Sequence, residues 1–241
     1  MTSAADTETS EALVSNRTLF RITMVIGLLA ALASALSVAG KWLGNDLILG
    51  GNTDSTAVHR ITVGQDVLIL PANMIRFETQ RRDGRAETVS IYLSWPGLEG
   101  YSRQNAARFS DPGRADVLIF ADFSQSVMSR DMSGRVEPIY SKLFSGAPAK
   151  GPAGLAIHAL SRKSGFGDEK LLTAPLPDGG IYAVRCLLPA SPEASTSADC
   201  LRDMRVGRDL TMLYRFSASL LPRWREIDTA MRAFAERHIA P

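Results

Sequence analysis

Two cysteines, three histidines and one aromatic turn carry most of the chemistry this sequence could perform. Cys186 and Cys200 are its only cysteines, and they enclose "LLPASPEASTSAD", a stretch too rich in Pro, Ser and Ala to fold alone. The spacing is not C-x-x-C, so a redox-active motif is not indicated, and no histidine pair lies nearby to complete a zinc site. In an oxidising compartment the expectation is a structural disulfide. Closing a loop of this length stabilises by about 3 kcal/mol in the chain-entropy description. Two independent thiols are the alternative.

His59, His158 and His238 are too far apart in sequence to form a helical metal-binding pair. His158 lies inside "LAIHALS" and reads as a strand residue sooner than a base. There is no G-x-S-x-G elbow and no phosphate-binding G-x-x-x-x-G-K-[ST] loop. "SGFGDEK" holds a G-x-G but lacks the last glycine of a dinucleotide fingerprint, and Asp168-Glu169 beside it sits in turn-like sequence. No cofactor and no metal are expected. The catalytic residues of any enzyme built on this chain stay unknown from sequence. In "SWPGLEGYS", Trp95 and Tyr101 flank a Pro/Gly turn, a candidate binding turn if the rings are exposed to stack on a sugar or anchor a partner. The plainer reading has Trp95 ending a strand and packing into the core.

These residues depend on the elements that hold them. "HRITVGQDVLILP" gives two short β-branched runs around Gly64-Gln65-Asp66, a hairpin pattern, and "TVSIYLSWP" alternates Val89, Ile91 and Leu93 on one face. "DVLIFADF", "LAIHALS", "KLLTAPL", "IYAVRCLL" and "DLTMLYRFS" are further strand candidates. In the last, Leu210, Met212, Tyr214 and Phe216 share a face while Arg215 points away. "RVEPIYSKLF" suggests a short helix entered at Pro138. At the end of the chain Leu220, Trp224, Ile227, Met231, Phe234 and His238 follow helical spacing, with Pro222 suited to the first turn. The arginines from Arg202 to Arg237 alternate with Asp203, Asp209, Glu226, Asp228 and Glu236, which reads as a solvated, salt-bridged surface.

Ahead of this domain stands Ile22 to Gly40, a run without a charge. As a helix it would span about 28 Å, close to the hydrocarbon core of a bilayer. Arg17 and Arg21 flank one end, Lys41 and Trp42 the other, and acidic residues lie before it. That favours a retained anchor over a cleaved signal peptide, although Ser37-Val38-Ala39 is an acceptable cleavage signal. The positive charge at the near end favours a cytoplasmic N-terminus. Gly27, Ala31, Ala35 and Ala39 recur every four residues, the spacing that lets two helices pack closely in lipid.

The expected fold class is α+β: an N-terminal transmembrane helix, then a mainly antiparallel-sheet outer domain with a C-terminal amphipathic helix. The expected layout is a cytoplasmic tail at 1–21, an anchor at 22–43, a linker at 44–57 and a periplasmic domain at 58–241. "SGAPAKGPAG" marks a subdomain break near 145–153. With 27 basic and 25 acidic residues among 241, the charge is too balanced for a nucleic-acid partner.

"LPANMIRFETQRR", "YLSWPGLEGYS", "GPAGL" and "RDMRVGRDLTMLYRF" resemble segments of uncharacterised single-pass, membrane-anchored periplasmic proteins of α-proteobacteria. The resemblance implies an inner-membrane anchor with a periplasmic domain, and no activity. The leading expectation is therefore an inner-membrane-tethered periplasmic interaction or accessory module, its partner a protein met through the transmembrane helix or the outer domain. The alternatives are a tethered cell-envelope enzyme, hydrolase-like with a composite site, and a glycan- or ligand-binding domain.

Overall fold

Period-two alternation dominates the chain from residue 58 onward, and the elements follow it. The computed structural model describes residues 16–49, 51–111 and 113–241; the tail expected at 1–21 lies outside them as far as residue 15. Two compact units divide the chain, 1–51 and 52–241.

Among its described residues the first unit holds one helix, α1 (Asn16–Leu49). Its stretch Arg17–Leu36, of mean hydropathy 2.1, is long and apolar enough to cross a membrane, and none of it is buried in protein. The helix runs through Leu49, so the linker expected from residue 44 is helical over its first six positions and irregular only at 52–57.

The second unit begins with a hairpin, β1 (Val58–Val63) and β2 (Asp66–Pro71), turning at Gly64 with a positive φ. β3 (Gly84–Arg85) adds to β1 in parallel, completing a three-stranded sheet. β4 (Thr88–Ser94), the one-turn helix α2 (Ala106–Ser110) and β5 (Leu118–Gln125) follow. Residues 126–148 contain only two 3-10 turns, Ser133–Arg135 and Tyr140–Leu143, where a short helix is expected. Then come β6 (Ala149–Lys150), β7 (Ala156–Ala159), β8 (Lys170–Pro175), β9 (Ile181–Cys186), β10 (Cys200–Val206) and β11 (Leu210–Phe216). The chain closes on α3 (Trp224–His238), the expected amphipathic helix.

Among the described residues the large sheet has the order β4-β5-β11-β10-β9-β8-β7-β6, with every neighbouring pair antiparallel. Because β5 pairs with β11, strands from both sides of residues 145–153 share one sheet, and the outer domain is a single compact unit without the expected break. Among the strands longer than two residues, β10 is the one absent from the strand candidates above. Its charged appearance, "CLRDMRV", hides an alternation in which Cys200, Met204 and Val206 share a buried face.

One face of the sheet, the inner face, holds the main core. Val89, Ile91, Ile119, Phe123, Met212, Tyr214 and Phe216 meet Leu68 and Leu70 of β2 and Trp224, Ile227, Met231 and Phe234 of α3. A helix so apolar on one side is stable because burying each large side chain contributes about 1.5–3 kcal/mol. Asp66 fixes the hairpin to this body: its carboxylate accepts the amides of Arg208 at 3.0 Å and Asp209 at 2.8 Å. Gly207, between β10 and β11, must be glycine there, since a Cβ would meet Asp66 Oδ1 at 2.7 Å and φ is +58°. The described residues cover the outer face only in part. Met132, Val136 and Tyr140 of the 126–148 segment pack on Leu160, Leu171 and Ala183, a second and smaller cluster over β7 to β9.

Candidate functional site

The uncovered part of the outer face is the candidate site. Alternation points Leu213 and Arg215 of β11, Leu201 and Asp203 of β10 and Arg185 of β9 away from the main core. The 126–148 segment crosses beside them. Ser126 ties its start to β11, its hydroxyl meeting Thr211 Oγ1 at 2.8 Å and its amide reaching the Asp209 carbonyl at 2.8 Å. Arg205 holds the segment further along by donating to the Ser129 carbonyl at 3.1 Å. Between segment and sheet lies an open depression of about 370 Å³, with Arg130, Arg135, Arg185 and Arg215 in its walls and Leu201 and Leu213 among its lining.

Three of the four guanidiniums are engaged. Arg135 pairs with Asp203, Arg185 with Glu169, and Arg215 with Asp122 at 2.6 Å, the last carboxylate also accepting from Ser90 Oγ at 2.7 Å. Arg185 lies over the Phe166 ring at 4.7 Å. Arg130 has no acidic partner among the described residues. Burial pushes the Asp203 carboxyl above its ordinary value, Arg135 opposes this, and nearby Asp131 adds to the rise. The rim is apolar. Val127 is 93% exposed, Met128 55% and Ile139 47%.

Beneath this site the sheet is parted. β9 and β10 pair only at Cys186↔Cys200 and Arg185↔Leu201, and the ladder then stops. The side chain of Arg202, 1% exposed, closes the seam. It donates to the Ala183 carbonyl of β9 at 2.7 Å, to Ser133 Oγ of the outer segment at 2.8 Å and to Asp228 Oδ1 of α3 at 2.7 Å. Tyr214 also donates to Asp228, at 3.1 Å, and the guanidinium lies over the Tyr182 ring at 4.5 Å. Burial would lower the Arg202 pKa, but Tyr214, Asp228 and Tyr182 outweigh it and hold the guanidinium charged. Arg202 and Asp228 thus leave the solvated surface expected of them. The missed signal was the phase of Arg202, which falls between Cys200 and Met204 on an otherwise apolar face.

Cys186 and Cys200 face each other at the paired end of the same seam and are joined by a disulfide. The loop they close is held down by Asp199, which accepts from Ser195 Oγ, Thr196 Oγ1 and the Ala218 amide. Trp95 and Tyr101 are not exposed for stacking: both rings are buried, which corrects the binding-turn expectation. Tyr101 meets Phe109 edge-on, and the turn is drawn inward where Gly100 lies so close to the Asn73 backbone that no Cβ would fit. His158 stacks on Phe144 and bonds Thr173 Oγ1 at 2.9 Å, while His238 stacks on Phe234. Gly27, Ala31 and Ala35 are exposed along α1; the side chain of Ala39 lies outside the described residues.

No protein-family model matches the chain, and no curated protein does. Its fold is similar to that of Smlt3025, an immunity protein of the Stenotrophomonas maltophilia type IV secretion system. That likeness covers 78% of this chain and 95% of the other, with a TM-score of 0.51 and 14% identity. A weaker one, at a TM-score of 0.44 and 12% identity, relates 77% of the chain to 98% of the Neisseria meningitidis iron-regulated outer membrane lipoprotein FrpD. At such identities a likeness shows fold and nothing of activity.

Proposed function

We propose that this chain is a protein-binding accessory module of the bacterial envelope, tethered to the inner membrane by α1 with its outer domain in the periplasm. The observation that carries the reading is the grouping of Val127, Met128 and Ile139 in solvent beside an arginine-lined depression. Clustered apolar side chains rimmed by charge mark interaction sites more often than idle surface. The apolar span with Arg17 and Arg21 at its near end supports the topology, and a disulfide fits an oxidising compartment. A fold shared with an immunity protein of a secretion system suits a binding module, and the resemblance to anchored periplasmic proteins suits the tether.

A photo-cross-linking residue at position 127 of the full-length protein, in its own membrane, tests the reading. A discrete protein adduct is expected there and not at exposed Arg114. Absence of any adduct at 127 rejects the interaction module.

In this reading α1 recruits as well as tethers, through Gly27, Ala31, Ala35 and Ala39. Ala31→Leu with Ala35→Leu keeps the span apolar while blocking close packing. The double variant is expected to insert normally and lose co-purifying membrane partners. Retention of all of them would leave α1 as a plain tether.

A further inference from the structure

The outer-face depression is one part of a longer trough. It shares Ser124, Gln125 and Val127 as walls with a groove of about 790 Å³ that reaches Gly64 and Arg85. It shares Val127, Met128, Arg130 and Arg135 with a third hollow that reaches Pro138 and Ile139. A free ion or a single side chain would leave most of such a trough empty, whereas an extended peptide would follow it.

Charge and polarity narrow the occupant. Four guanidiniums line the central depression, and Asp203, Glu169 and Asp122 pair with three of them. Arg130 carries no acidic partner among the described residues, and Arg135 buries an Nε without a hydrogen-bond acceptor. Arg215 and Asp122 keep about a third of their side chains in solvent, so Arg215 can share its charge with an incoming carboxylate. Guanidinium groups take carboxylates through parallel, charge-assisted hydrogen bonds. Leu201 and Leu213 supply apolar surface on the sheet, and Met128 is an adaptable thioether at the rim.

We propose that this trough binds an extended segment of a partner protein in which Asp or Glu, paired with Arg130 and Arg215, stands beside aliphatic residues that pack on Leu201, Leu213 and Met128. The inference rests on the interaction-module reading and adds the chemistry of the partner. Recognition of acidic motifs by clustered arginine is a recurring mode of peptide binding. A membrane surface rich in anionic lipid offers related charge but no side chain that would follow an elongated trough with apolar lining.

The test uses the full chain in nanodiscs of phosphatidylcholine, panned against a displayed library of random dodecapeptides. Enriched peptides are expected to combine acidic and aliphatic residues. The tightest of them, made synthetically, is expected to lose about tenfold or more in affinity with Arg130→Glu and with Met128→Asp, and little with Arg114→Glu. Lysine in place of its acidic residue is expected to restore binding to Arg130→Glu. Met128 and Arg130 lie at the surface, and unchanged thermal melting confirms that both variants fold. Enrichment without acidic residues, no enrichment at all, or indifference to Arg130→Glu overturns the proposal. Loss of the peptide on changing to phosphatidylglycerol discs, with Val127 then shielded from solvent, overturns it in favour of the membrane. A position-127 adduct that forms equally well in Arg130→Glu removes the acidic peptide and leaves the interaction module standing.

Discussion

Arg202 and Arg215 lie on adjacent strands, β10 and β11, one residue apart in register, yet they meet opposite conditions. Arg202 sits at a position of the inner face, under α3, where it and Asp228 expose 1% and 9% of their side chains. Arg215 points to the outer face, where it and Asp122 expose 36% and 30%. Strand alternation chooses the face, and the element above the face chooses the role. Under cover, a guanidinium must be matched bond for bond, because an uncompensated buried charge is costly. In the open, the same group keeps most of its hydration and remains available to a partner.

The largest effects should come from the covered side. Arg202→Met leaves Asp228 buried without a cation and the Ala183 carbonyl without a donor. It is expected to destabilise the outer domain by about 3–5 kcal/mol in denaturant unfolding. A loss under about 1 kcal/mol would show that the seam does not depend on this residue. Phe234→Ala empties the centre of the α3 interface and should cost a comparable amount, about 3–5 kcal/mol. Unchanged melting would mean that α3 is not part of the cooperative unit.

The disulfide comes next. Replacing both cysteines with alanine should cost about 3 kcal/mol. Because Cys186–Cys200 and Arg202 close two ends of one parted ladder, their losses should not add when combined. Thiol labelling of unreduced, denatured protein is expected to give no signal, and labelling of both cysteines would contradict the bond.

Acid should reveal the buried groups in order. Burial holds the His158 and His238 imidazoles below the ordinary value of 6.5. Protons therefore bind the unfolded chain first, so their contribution is present above about pH 6.5 and is lost as pH falls through the folded values. Burial alone would raise Asp199, but the bonds from Ser195, Thr196 and Ala218 hold it below its ordinary 3.8. Its contribution is present above that pH and is lost on further acidification. Stability should thus decline in two steps, with His158→Gln shrinking the first and Asp199→Asn the second. A single step untouched by either variant would contradict the assignment.

The smallest change belongs to the open side. Arg215→Ala should move stability by less than about 1 kcal/mol, since its ion pair is shared with water. A loss as large as that of Arg202→Met would erase the contrast between the faces.

Much of this was fixed by local pattern. The apolar span, the β1–β2 hairpin, the alternation of β4 and β11 and the stripe of α3 need only period and composition, because each element buries one face whatever its neighbour. The α+β class follows from them. The cysteine pair was legible for a similar reason: a short, unfoldable loop between the two residues leaves them close in any compact chain.

The strand β10, the site and the fate of each arginine were decided only by tertiary structure. "CLRDMRV" alternates correctly, but one guanidinium in its apolar phase made the segment read as surface. Only the partnership with Asp228, Ser133 and the Ala183 carbonyl, drawn from three distant parts of the chain, makes that burial affordable. Trp95 and Tyr101 failed as a binding turn for the converse reason. Their spacing permits exposure, and the approach of the Asn73 backbone to Gly100 turns them inward. The trough collects Arg130, Arg185 and Arg215 from separate segments, and no one-dimensional spacing records where three strands and a crossing loop will meet.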